Sequence, residues 1–236
     1  MSDDVRPTIG TGTEIDASAV TPEFGSPSQG GVDGDRKDLE TGTTTVGLTT
    51  ENGVVLAADR RASAGNLVAS KNADKIIEVH SSAALTISGN VSAAQSLVNS
   101  LRAEVRLYET RRDAGMSLEA LANLTSTLLR SGGFRIVQPV LGGVDDDGSH
   151  VYSIGPGGSV MEEAYAVSGS GSPFALGVLE GEYDAGMSVD EAEIIAARAV
   201  QSATERDTAS GNGLSIATIT GDGVAIDTHE HIESAL

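Results

Sequence analysis

Between residues 43 and 228 the hydrophobic period of this chain switches from two to about 3.6 and back, and then does so again. Few architectures accommodate that order. Residues 43–49 and 53–61 read as strands joined by Thr50-Glu51-Asn52-Gly53, an Asn-Gly hairpin signal. Residues 74–80 and 83–89 read as a second strand pair. Two helical stripes follow. One runs from Ser92 to Arg112 through Ala94, Leu97, Val98, Leu101, Val105 and Tyr108; the other spans 117–130 through Leu118, Leu121, Leu124 and Leu128. Strands return near 134–142 and 149–154. A helix is expected after Pro173, a residue suited to a first turn. Another is expected from Ser188, where Glu191 completes a capping box and Ala192, Ile195, Ala199 and Ala203 share a face. Strands 214–220 and 223–228 close the series. Hairpin-linked strands interrupted by helix pairs predict an α+β sandwich, with sheets packed on each other and helices outside. A doubly wound α/β fold would need strand–helix alternation, which is absent.

Ahead of this pattern lies a different texture. Residues 1–42 hold three of the six prolines, Pro7, Pro22 and Pro27, and are rich in Gly, Ser, Thr and Asp. Such a segment buries too little apolar surface to offset its ordering entropy, so it is expected to be disordered. It reads either as a tail or as a leader that blocks Thr43.

Charge narrows the partners. The net charge is -19, which disfavours nucleic acid and anionic membrane. Lysine occurs only at positions 37, 71 and 75, the other twelve basic residues being arginine. An acid-rich, lysine-poor surface is the expectation for work in concentrated salt, where self-repulsion is screened. Cysteine is absent, which excludes a disulfide framework and thiolate chemistry. With no long apolar run and no secretion-type opening, a soluble cytoplasmic protein is the default expectation.

Chemistry concentrates in a few places. Gly42-Thr43-Thr44-Thr45-Val46-Gly47-Leu48 marks the switch from loose leader to regular pattern. Three threonines suit a β-strand; equally, cleavage after Gly42 would leave Thr43 with a nucleophile and a base on one residue. Asp59 shares a strand face with Val55, Ala57 and Arg61, so it is either wet at a polar edge or buried and in need of a partner. Lys75 shares a side with Ile77 and Val79 and is the natural partner if the two hairpins are neighbours. Gly89 ends its strand where a substrate carbonyl could approach a backbone N–H. Asp145-Asp146-Asp147-Gly148 lacks the spacing of a calcium loop and is expected to be a solvated turn. Ser168-Gly169-Ser170-Gly171-Ser172-Pro173 fails the spacing of a phosphate-binding loop.

Taken together, Thr43-Thr44-Thr45-Val46-Gly47, Asp59-Arg60-Arg61, Lys71-Asn72-Ala73-Asp74-Lys75, Ser168-Gly169-Ser170-Gly171-Ser172 and Arg206-Asp207-Thr208-Ala209-Ser210-Gly211 resemble the archaeal type of proteasome β subunit. The likeness runs from Gly42 to nearly the end of the chain. It implies a four-layer αββα fold of the N-terminal nucleophile hydrolases, with 1–42 as a propeptide and 43–236 as the catalytic domain. It further implies Thr43 as nucleophile with Asp59 and Lys75 as partners, and Ser170, Asp207 and Ser210 as a supporting cluster. The Gly89 N–H would be the oxyanion donor. Ala62, Ala73, Ile77, Ile87 and Val91 would build an apolar specificity pocket, with Ser63 beside the substrate backbone. Implied partners are homo-heptameric β rings stacked with α-subunit rings, a regulatory ATPase at the particle ends and unfolded polypeptide substrates. No cofactor or metal is called for. A non-catalytic ring subunit and a small-molecule amidase of the same superfamily are the rival expectations.

Overall fold

The computed structural model describes residues 42–131, 134 and 136–236. The expected leader therefore lies outside the described residues, apart from Gly42. The first hairpin is β1 (Thr45–Thr50) and β2 (Gly53–Asp59). A short hairpin of β3 (Ala62–Ala64) and β4 (Leu67–Ser70) follows, then β5 (Ile76–His80) and β6 (Ala83–Thr86). Helices α1 (Val91–Arg112) and α2 (Leu118–Ser131) come next. Four strands follow: β7 (Val140–Asp145), β8 (Gly148–Ile154), β9 (Val160–Glu163) and β10 (Tyr165–Ser168). Helices α3 (Ser172–Glu182) and α4 (Val189–Thr204) precede the closing hairpin of β11 (Leu214–Thr220) and β12 (Gly223–His229).

The strands form two five-stranded antiparallel sheets, ordered β10-β1-β2-β11-β12 and β5-β6-β7-β8-β9. Alternation along β2 explains the layering. Val54, Leu56 and Ala58 face the other sheet and pack with Ala84, Val140 and Val151. Val55 and Ala57 face the opposite way, into a cluster with Ala192, Ala196, Ala199 and Val200 of α4. Small residues on α4 let the helix backbone approach the sheet closely. On the far side, Leu97, Leu101, Leu118 and Leu121 of α1 and α2 cover Leu85 and Leu141. The result is the expected αββα sandwich. Among the described residues no helix is long and apolar enough to cross a membrane.

Several expected boundaries move. The first strand starts at Thr45 rather than 43, and the second stops at Asp59 rather than 61, because residues beyond it turn to other partners: the Arg60 N–H donates to the Gly211 carbonyl at 3.1 Å. Strand β6 ends at Thr86, although Gly89 still forms an isolated bridge to Val137. The α2 stripe is rotated from the expected one. Thr125, Ser126 and Leu129 are buried with Leu118 and Leu121, while Leu124 and Leu128 are only half-buried. The capping box at Ser188 and Glu191 and the early proline of α3 are present. Strands β3, β4, β9 and β10 have no counterpart in the expectation. Leu67 and Val68 of β4 are exposed, and β9 is largely exposed, so neither carries an alternating pattern. The acidic turn is more than solvated, since Asp145 accepts from the Leu118 N–H at 2.8 Å and caps α2.

Candidate active site

The β1–β2 hairpin brings Thr43 and Asp59 together. Its register pairs Thr45 with Ala58, and the Asp59 N–H donates to the Thr44 carbonyl at 3.1 Å. Thr43, 3% exposed, thus lies beside the fully buried Asp59. Its hydroxyl donates to Asp59 Oδ1 at 2.9 Å. Lys75 arrives from the facing sheet. Its carbonyl accepts from the Ile87 N–H at 2.8 Å, which anchors it beside β6. The expected neighbouring of the two hairpins is therefore a meeting across the sandwich, not along one sheet. Lys75 Nζ donates to Asp59 Oδ1 at 2.6 Å and makes a short hydrogen bond to the Thr43 hydroxyl.

Asp59 is buried but fully served. Oδ1 accepts from the Thr43 hydroxyl, the Thr44 N–H and Lys75; Oδ2 accepts from the Arg61 N–H at 3.1 Å and the Gly211 N–H at 2.9 Å. Hydrogen bonds to the charged form are what make a dry carboxylate tolerable. Burial pushes the Lys75 ammonium below its ordinary value, and the adjacent Asp59 carboxylate offsets part of that shift. The Thr43 hydroxyl is held by a charged group on each side, its proton toward the carboxylate and its lone pair toward the amine.

A second hydroxyl–carboxylate cluster closes around the Thr43 backbone. The Thr43 N–H donates to Ser170 Oγ at 3.1 Å, and Ser170 Oγ donates to Asp207 Oδ2 at 2.6 Å. Ser210 donates to the same oxygen at 2.7 Å and lies 2.7 Å from the Thr44 hydroxyl. All three residues that the resemblance implied for this cluster meet there. Gly42 also sits tightly: a Cβ added to it would fall 2.0 Å from the Ala209 Cβ and 2.7 Å from Ser170 Oγ.

Beside Thr43 opens a cavity of about 380 Å³ whose walls include Gly42, Thr43, Lys75 and Gly89 together with Ala62, Ala73, Ile77, Ile87 and Val91. The five expected pocket residues thus share one space with the threonine. Ser63 is not among its walls; it is buried, with a side-chain oxygen that has no partner. Gly89 has φ +102, and a Cβ there would meet the Ile136 carbonyl oxygen at 1.9 Å, so only glycine fits. Residue-level reading missed Arg61, Ala69, Ser70, Asp74 and Gln95 as walls. Arg61 was legible as part of the Asp59-Arg60-Arg61 block. Its task was not, because its partners, Asn212 Oδ1 at 2.8 Å and the Thr208 carbonyl at 2.8 Å, are remote in sequence.

Comparison with known proteins shows the family. A family model described as "Proteasome subunit" matches residues 39–219. The proteasome subunit beta of the halophilic archaeon Haloquadratum walsbyi is 55% identical over 99% of this chain and 97% of its own length. That of Haloferax volcanii is 59% identical over 84% of this chain and 81% of its own. The proteasome subunit beta 2 of Haloterrigena turkmenica is 50% identical over 94% of each.

Proposed function

This chain belongs to the proteasome subunit family, and on that premise we propose that it is a catalytic β subunit, a threonine endopeptidase made active by cleavage between Gly42 and Thr43. Residues 1–42 are then a propeptide and 43–236 the working enzyme. The observation that carries the reading is the Thr43 hydroxyl, buried between Asp59 and Lys75 at the wall of an apolar pocket.

A threonine hydroxyl is a weak nucleophile and needs a base. Once Gly42 is removed, the Thr43 nitrogen becomes an α-amine, a group that titrates at about 7.7–8.0. It is the base for its own hydroxyl. The Thr43 oxygen attacks the substrate carbonyl and its proton passes to the α-amine. Negative charge develops on the carbonyl oxygen, where the Gly89 N–H serves as donor. The proton then moves to the leaving nitrogen, the peptide bond breaks, and an ester to Thr43 remains. Water, losing a proton to the same amine, hydrolyses the ester and restores the hydroxyl. Lys75 stabilises the developing alkoxide, Asp59 fixes Lys75, and Ser170 orients the amine. The apolar pocket selects hydrophobic side chains before the cut.

Before maturation the Thr43 nitrogen is an amide that donates to Ser170, so it cannot serve as base. Lys75, whose neutral form burial favours, takes the proton as the Thr43 hydroxyl attacks the Gly42 carbonyl and passes it to the Thr43 nitrogen as the Gly42–Thr43 C–N bond breaks; water then hydrolyses the resulting ester and frees the leader. The absence of space for a side chain at residue 42 suits glycine at this junction. The subunit works in the cytoplasm within seven-membered β rings, stacked on α-subunit rings and fed unfolded polypeptide by a separate ATPase. Intact mass of the chain from the assembled particle tests the reading, with peptide hydrolysis measured alongside. A chain beginning at Thr43 and hydrolysing peptides is expected. A particle that starts at Met1 and still digests peptides overturns it, and an inert one points to a purely structural ring subunit.

A further inference from the structure

Thr43, Asp59 and Ser170 adjoin one sheet while Lys75 and Gly89 come from the other, and apolar packing between sheets tolerates sliding. A polar link at the seam does not. Ser88, one residue before Gly89, and Ser168, two residues before Ser170, are both buried, and their hydroxyl oxygens lie 2.7 Å apart across the sandwich. Both also reach the Gln138 carbonyl, at 2.7 Å from Ser88 and 2.8 Å from Ser168. The Gln138 N–H in turn donates to the Ser88 carbonyl at 3.1 Å, and neighbouring Val137 is bridged to Gly89. So one knot holds three segments: the turn that carries Gly89, the stretch that backs it, and the end of β10 that leads into Ser170.

Resting on the catalytic reading above, we propose that Ser88 and Ser168 are positioning residues that set the distance between the Gly89 backbone and the Thr43–Ser170 side of the site. Two hydroxyl protons serve three short contacts, so one serine donates to the Gln138 carbonyl and the other to its neighbour. Loss of either hydroxyl leaves the knot short of a donor or an acceptor. Hydrogen bonds are directional, unlike the contacts of Ala84, Val140 and Val151 nearby, and so they fix the register of the two halves to within a fraction of an ångström. Displacement on that scale affects a reaction step far more than it affects substrate capture.

The test compares Ser168→Ala, Ser88→Ala and the double variant in the particle assembled from the full-length chain with its companion subunits. Three readouts are taken: the rate of Gly42–Thr43 cleavage by intact mass, kcat and KM per processed site, and the thermal midpoint. Each single variant is expected to lower kcat about tenfold or more with KM nearly unchanged, and to slow self-cleavage similarly. The double variant strips the Gln138 carbonyl of both serine donors, so its midpoint is expected to fall below that of either single variant, with kcat at least as low. Wild-type kcat per processed site in these variants, with only the midpoint lowered, overturns the positioning role and leaves the catalytic reading intact. A wild-type particle with no peptidase activity overturns both.

Discussion

Asp59 and Asp145 each hold a basic side chain, and only one of the two lies in the candidate site. Asp59 is fully buried, gathers five donors and shares Lys75 with the Thr43 hydroxyl. Asp145 stands at the end of β7, where its side chain is 16% exposed. It caps α2 through Leu118 and lies 3.2 Å from His150, which also contacts Glu162 at 2.7 Å. Both groups tie distant segments together. The second has more titratable members, yet solvent reaches them and no threonine or serine hydroxyl is held between them. Charge clustering alone therefore says little. Dry charges converging on one hydroxyl point to chemistry, because a buried ion pair gains little stability over well-packed apolar residues.

The sharpest attempt to break this contrast is Thr43→Ala. It should leave the leader attached and lower peptide hydrolysis by roughly 10⁴-fold or more, as read by intact mass and a fluorogenic peptide. A matured, active Thr43→Ala chain would refute the assignment. Next in size, Lys75→Ala strands the Asp59 carboxylate in the core and should cost about 3–5 kcal/mol in chemical unfolding. The same truncation at His150 should cost about 0–1 kcal/mol, as expected of a solvent-screened pair. Equal losses at the two positions would erase the distinction.

Alkaline titration sharpens it further. Burial lowers Lys75 from its ordinary 10.5, so the folded state binds fewer protons than the unfolded state between the lowered value and 10.5. Its contribution to stability is full above 10.5 and is lost as pH falls through the lowered value. Tyr152, stacked on His150 in the second cluster, behaves oppositely. Burial and then the neighbouring Glu162 and Asp145 push its hydroxyl up to about 12 from 10.0. Its contribution is full below 10.0 and is lost as pH rises through about 12. Urea midpoints of the wild type, Lys75→Met and Tyr152→Phe across alkaline pH check both signs. Asp145→Ala uncaps α2 and should cost about 1 kcal/mol without changing kcat.

The order of strand pairs and helix pairs followed from periodicity, and with it the layered sandwich. Thr43 stood out because the leader stops there, and Asp59 and Lys75 because each charge falls on an apolar side. Local patterns carried that much because side-chain direction in a strand depends only on position along it. The rest depended on contacts between residues far apart in the chain. Strand β10 exists because it pairs with β1, and Lys75 reaches Asp59 from the opposite sheet. The 380 Å³ cavity has walls drawn from four separate stretches, and Ser88 meets Ser168 eighty positions away. Sequence fixes the direction of a side chain relative to its own strand; only packing two sheets face to face decides which residue it will meet.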